Sequence, residues 1–242
     1  MPAITTFPDN AHWVAGAAAF IASNAQAAIA TRGRWSVALA GGNTPKSVYQ
    51  CLANDYAQAL DWSRVHVFFG DERCVPPDDE RSNYGMAQEA LLSRVPIPAQ
   101  QIHRIRGEDD PAVAALAYEI ALQRSFRSLH LPAFDLICLG LGDNGHTASL
   151  FPGTASLREK RHWASAQYVE VMQSWRITLT LPVINAARAV MFLVRGQDKA
   201  TVVQRVLHGP YDPDVLPAQM ISPQSGELHW LLDAAAASSI LQ

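Results

Sequence analysis

Strands alternating with helices along most of the chain predict an α/β fold with a largely parallel sheet. Two observations carry that prediction. Short apolar runs, WSVALA, VHVFFG, FDLICLG and RAVMFLV, have the unbroken hydrophobicity of strands buried on both faces. Polar loops containing or flanked by glycine follow these runs, and helical stretches follow three of the loops directly.

The elements take shape in order. Asp9 and Asn10 are capping residues ahead of a segment, 11–30, rich in strong helix formers, and Gly33 would end that helix. WSVALA (35–40) predicts a buried strand. GGNTP then turns the chain into a helix from Pro45 to about Leu60, with Thr44 as its N-cap. VHVFFG (65–70) is the next strand, and DERCVPPDDERSN reads as a polar loop. Residues 84–95 read as a helix and IHRI as a short strand, before Asp110 and Pro111 cap a long helix to about Ser128. FDLICLG is a third buried strand. HWASAQYVEV and WRITLTLP are β-rich with no long helix between them, which predicts a small antiparallel β excursion near 162–182. RAVMFLV, DKATVVQRVL and ELHWLL complete the pattern as strand, helix and strand. No repeat, low-complexity block or linker divides the chain, so 1–242 reads as one domain.

Bulk properties narrow the function. With 49% hydrophobic and 17% charged residues the chain is that of a soluble globular protein. A net charge of -3 argues against nucleic-acid binding through a broad basic surface, yet leaves room for a basic pocket that takes an anionic metabolite. Cys51, Cys74 and Cys138 are odd in number and lack C-x-x-C spacing, which fits a reducing compartment and no zinc site or disulfide framework. MPAITTFPDN lacks the pattern of a secretory signal. His12, Ser23, Asn24 and Gln26 make the alanine-rich segment read as too polar for a membrane span. The expectation is a cytoplasmic protein with neither nucleic-acid nor membrane partners.

Four loops at strand ends carry chemistry, since ligands of open parallel sheets bind at the carboxyl ends of strands. In AGGNTPK, Gly41 and Gly42 let the backbone approach an anion at a helix start, although the same residues also suit a capped turn. Neither the Walker A spacing nor G-x-G-x-x-G is present. In GDER, Arg73 has the fork that grips a carboxylate or phosphate, with Asp71 and Glu72 either orienting it or capping the next segment. In GLGDNGHTASLFPG, His146 is a candidate base, or else caps or packs under a short helix TASLF. Ser149 lacks the G-x-S-x-G elbow of a nucleophile. In RGQDKA, Lys199 either points at a bound phosphate or lies on the surface of a first helical turn.

Taken in order, AGGNTPKSVYQ, VHVFFGDERCVPPDDERSNYGMAQEALL, FDLICLGLGDNGHTASLFPG, RITLTLPVINAARAVMFLVRGQDKA and LPAQMI…ELHWLLD resemble the 6-phosphogluconolactonase family over about residues 35–233. The resemblance implies a Rossmann-like three-layer fold shared with glucosamine-6-phosphate deaminases and ribose-5-phosphate isomerases. It also implies hydrolysis of 6-phospho-D-glucono-1,5-lactone to 6-phosphogluconate in the oxidative pentose phosphate pathway, with no metal or organic cofactor. The partner it implies is a phosphorylated sugar lactone, acted on by a monomer or weak homodimer. By the same resemblance, His146 corresponds to a general base, with Asn144 beside it in the catalytic set, Arg73 and Lys199 to holders of the anionic substrate, and Gly41, Gly42, Asn43 and Thr44 to a phosphate-side loop, with Asp71 also expected to bind the substrate.

One position departs from the family. It usually reads D-G-H where this chain has Asn144-Gly145-His146, with an acid one place earlier at Asp143. A carboxylate stabilises a protonated imidazole, whereas an amide only hydrogen-bonds it. Either Asp143 compensates, or the site works with less electrostatic help, or lactone opening does not need the acid. The competing readings are a sugar-phosphate deaminase or isomerase on the same fold, and a non-catalytic sugar-phosphate sensor. The deaminases follow G-H with N-E-P, and Leu150-Phe151-Pro152 supplies no such glutamate.

Overall fold

The computed structural model describes residues 2–127 and 130–240. Its centre is a parallel sheet of six strands in the order β1 (Ala3–Phe7), β9 (Glu227–Asp233), β8 (Ala189–Val194), β5 (Leu136–Leu139), β2 (Trp35–Leu39) and β3 (Val65–Phe69). Every residue of β2, β5 and β8 is buried, which accounts for their unbroken apolar sequences. β1 is an exposed edge strand that the sequence reading does not contain, and it pairs with β9 from Ala3↔His229 to Phe7↔Asp233.

Helix α1 (Asn10–Arg32) begins where the Asp9 carboxylate accepts from His12 N–H at 2.9 Å, and ends at Gly33 with φ 73°. By length and a mean hydropathy of 1.3 it is apolar enough to cross a membrane, which corrects the sequence reading of it as too polar. Its apolar residues are core residues: Trp13, Ala17, Ile21, Ala25 and Ala28 are buried, and the Trp13 indole donates to Leu231 O at 2.9 Å. α2 spans Asn43–Asp55 and not 45–60; Gly42 is its N-cap and no side chain caps it, so Thr44 already lies in the first turn. Pro45 is tolerated there because first-turn N–H groups have no intrahelical acceptor.

After β3 the expected polar loop instead begins with a short strand, β4 (Asp71–Arg73). β4 pairs antiparallel with β7 (Ser174–Leu179), which pairs with β6 (Ala164–Val169), so the antiparallel excursion is a separate sheet of three strands. α3 (Asn83–Ala87) continues into a wider turn over Gln88–Leu92, where Ser93 N–H reaches Gln88 O five residues back at 3.0 Å. IHRI contributes only the bridge Ile102↔Val67. α4 covers Pro111–Phe126 behind an Asp110 cap; its expected end at Ser128 lies outside the described residues. α5 (Leu181–Asn185), also absent from the sequence reading, and α6 (Ala200–His208) flank β8 in the chain. TASLF is not a helix. Thr147 and Leu150 bridge each other across a tight turn in which Ala148 adopts φ 47°.

The strand order places β2 and β5 side by side although β3, β4 and the helices α2, α3 and α4 separate them in sequence. Connections from these two strands leave in opposite directions, and the crevice at their carboxyl ends is where such sheets bind ligands. Two buried tyrosines fix its rim. Tyr49 of α2 accepts from Ala40 N–H and donates to Ala40 O, both at 2.9 Å. Tyr118 of α4 holds Phe69 in the same way, at 2.9 and 2.8 Å.

Candidate active site

All four loops singled out in the sequence converge on one cleft of about 180 Å³ above β2, β3, β5 and β8. Gly41, Gly42, Asn43, Thr44, Asp71, Arg73, His146 and Lys199 all line it. Asn144 does not, but it touches His146 directly.

His146 is set by its own loop. Gly142, Asp143, Asn144 and Gly145 form a turn in which Gly145 N–H donates to Gly142 O and Gly142 N–H donates to His146 O, both at 2.9 Å. A Cβ on Gly142 would collide with the imidazole, so only glycine leaves room for the ring. One face of the ring stacks on Phe151, with centroids 4.0 Å apart. Asn144 Oδ1 lies 2.5 Å from His146 Nδ1 and also accepts from His146 N–H at 3.3 Å. An amide oxygen only accepts, so Nδ1 carries the proton and Nε2 the lone pair. Among the described residues no hydrogen bond engages Nε2. Burial is the main force pulling the imidazole pKa down, to about 4; Lys199 and Arg176 push the same way, and Asp71 and Asp143 oppose it. The ring is therefore neutral at pH 7.

Asp143 does not reach the imidazole. Its carboxylate pairs with Lys199 Nζ, which is a second acid neighbour's distance, 3.9 Å, from Asp198. Lys199 ends a short helical turn, 197–199, entered through Gly196 with φ 100°. Across the cleft, Gly42 takes φ 88° and opens α2 with N–H groups that no side chain caps.

Arg73 depends on its neighbour Glu72, whose role is structural. The buried Glu72 carboxylate accepts from Arg73 N–H at 2.8 Å, from Asn83 and Tyr84 N–H at 2.7 Å each, and from Ser82 Oγ at 3.2 Å. It thus ties β4 to the start of α3; burial raises its pKa, while the three backbone bonds counter that. Asp71 accepts from Asn83 Nδ2 at 3.1 Å and from Ser149 Oγ at 2.7 Å, so this serine is committed to a structural bond. Arg73 Nη1 donates to Arg81 O, and among the described residues the buried Arg73 Nε has no partner. Opposite it in the β4–β7 register stands Arg176, buried and also with an unpartnered Nε. Burial, then Arg73, lower the Arg176 pKa.

Tyr49, Tyr118, Asn83, Phe151 and Arg176 carry no functional signal in the sequence. Each acts through the fold, on a strand end, on Asp71, on the imidazole face or on Arg73, and no local spacing announces such contacts. Among the described residues, no group of three or more His, Cys, Asp or Glu is placed to hold a metal ion.

A family model described as glucosamine-6-phosphate isomerases/6-phosphogluconolactonase matches residues 8–230. The chain belongs to this family. Within it, the chain is 42% identical to a 6-phosphogluconolactonase of Nostoc sp. over 98% of both chains. It is 45% identical to one of Synechocystis sp. over 88% of both. The solved 6-phosphogluconolactonase of Trypanosoma cruzi superposes with a TM-score of 0.90 at 29% identity, covering 100% of this chain and 98% of that one. As a member of this family with such relatives across nearly its whole length, the chain is an enzyme.

Proposed function

We propose that this family member hydrolyses 6-phospho-D-glucono-1,5-lactone to 6-phosphogluconate, with His146 as general base. The observation that carries the assignment is the tautomer of His146: Asn144 holds Nδ1–H, and no described residue bonds Nε2, which lies in a cleft shared with Arg73 and Lys199. The relatives named 6-phosphogluconolactonase supply the substrate class.

Nε2 takes a proton from water as the water oxygen bonds to the lactone carbonyl carbon. The carbonyl oxygen becomes an oxyanion, and Arg73 or backbone N–H groups of the rim stabilise it; a single preorganised donor is worth about 3 kcal/mol in comparable reactions. The bond from that carbon to the ring oxygen then breaks. The departing ring oxygen takes the proton back from Nε2, leaving an open-chain acid and neutral His146. Lys199 and the open start of α2 hold the phosphate, fixing the carbonyl carbon within reach of the water. Asp143 gives way to the phosphate on Lys199.

The test is turnover of freshly generated lactone, corrected for spontaneous opening, beside ammonia release from glucosamine 6-phosphate. Enzyme-dependent lactone opening with no ammonia release is expected. Lactone opening at the spontaneous rate alone would overturn the assignment, and product binding without turnover would favour a sensor.

A further inference from the structure

A second cationic recess lies at the opposite end of the large sheet and plays no part in the catalytic reading. Arg34 just before β2, His66 on β3, His103, and Arg124, Ser125 and Arg127 at the end of α4 line an open hollow of about 660 Å³. It sits at the amino ends of β2 and β3, about 16 Å from the cleft along strands of this length.

Arg34 is held in a fixed plane. Its Nη1 donates to Ser125 O at 3.0 Å, and its guanidinium carbon lies 5.5 Å from the centroid of the Phe126 ring. Among the described residues its buried Nη2 has no hydrogen-bond partner, and neither does the buried Ser125 Oγ. Both residues line the recess, and buried donors without an acceptor are a combination folded proteins avoid unless a side-chain shift lets something else supply one. Among the described residues no carboxylate lines the recess. The acid that Arg34 senses, Asp135, is already engaged by Arg32 Nε and by Ser36 N–H and Oγ, each at 2.8 Å. Arg127 and Arg34 repel each other. Burial first, and then Arg34, lower the pKa of His66; burial, His66 and Arg34 lower that of His103 to about 4. Three arginines with no counter-charge among the described residues thus collect on a chain of net charge -3.

We infer that this recess binds a phosphate group, with Arg34 Nη2 and Ser125 Oγ as inner donors and Arg124 and Arg127 closing on its outer oxygens. Free inorganic phosphate and a phosphorylated metabolite share that chemistry. His66 Nδ1 and His103 Nε2 stand 3.3 Å apart on the wall, so the two rings report occupancy.

The experiment records imidazole NMR signals of the intact protein during titration with inorganic phosphate and, separately, with glucose 6-phosphate. His66→Gln and His103→Gln assign the signals among the eight histidines. The signals of His66 and His103 should move saturably. Arg34→Gln should raise the half-saturation concentration at least tenfold while leaving lactone turnover within twofold. The exposed pair Arg124→Gln/Arg127→Gln, which carries no burden in the core, should raise it at least threefold and serves if Arg34→Gln does not fold. Tighter binding of the ester supports a metabolite site, and equal or tighter binding of inorganic phosphate supports a free-ion site. Static His66 and His103 signals at concentrations that move His146, or unchanged half-saturation in the variants, would overturn the inference.

Discussion

At the scale of single residues, the decisive substitution relative to the family pattern is Asn144. Its amide accepts from Nδ1 of His146 and so fixes the tautomer, while adding no negative charge to stabilise an imidazolium. Burial then holds the pKa near 4. A base must be neutral to act, so a lowered pKa keeps His146 competent well into acid, and its limb in kcat/KM falls near pH 4 in place of pH 6–7. Asn144→Asp should raise the pKa and move that limb upward by about one pH unit or more. The substrate phosphate titrates near pH 6 in both enzymes alike, so the paired profiles isolate the histidine. Superimposable profiles would mean that residue 144 does not tune the base. The sequence posed this question through NGH but could not settle what Asp143 does. The answer lies in a pairing with Lys199, 56 residues away.

At the scale of elements, β4 shows why part of the site was illegible. DER reads as a solvated charged loop because three charges follow an apolar strand, yet Asp71 and Glu72 are buried and Arg73 is partly so. Their burial depends on pairing with β7 about a hundred residues later and on donors from α3, neither of which local composition encodes. The start of α2 was misplaced for a related reason: Thr44 and Pro45 suit a cap and a first turn, but Gly42, by taking φ 88°, starts the helix earlier. Strands β2, β3, β5 and β8 were legible because burial on both faces leaves an apolar run that needs no distant context. Glu72→Ala tests the element-scale account. It strips acceptors from the buried N–H groups of Asn83 and Tyr84, at a cost of roughly 2–4 kcal/mol. For a chain of this size that lowers Tm by roughly 5–15 °C. It also frees Arg73 from the position in which it stabilises the oxyanion, so kcat should fall more than KM rises. An unchanged melting curve would show that the carboxylate does not anchor the loop.

At the scale of the whole molecule, strand order assembles the site. Loops following β2, β3, β5 and β8 are spread over some 160 residues of chain, and they meet because those strands are neighbours or near neighbours in one parallel sheet. The sequence revealed the loops one at a time, and the family resemblance supplied their convergence; the sheet order explains it physically. The same order sends Arg34 and His66 to the far end, where the second cationic recess forms. The measurement that bears most directly on the account is steady-state hydrolysis of fresh 6-phosphogluconolactone by His146→Ala, with folding verified by circular dichroism. The expected result is a fall in kcat of roughly 10²–10⁴-fold with KM changed little, since the phosphate contacts of Lys199 and the α2 start stay intact. A folded His146→Ala protein that retains kcat within twofold of the wild type would contradict it.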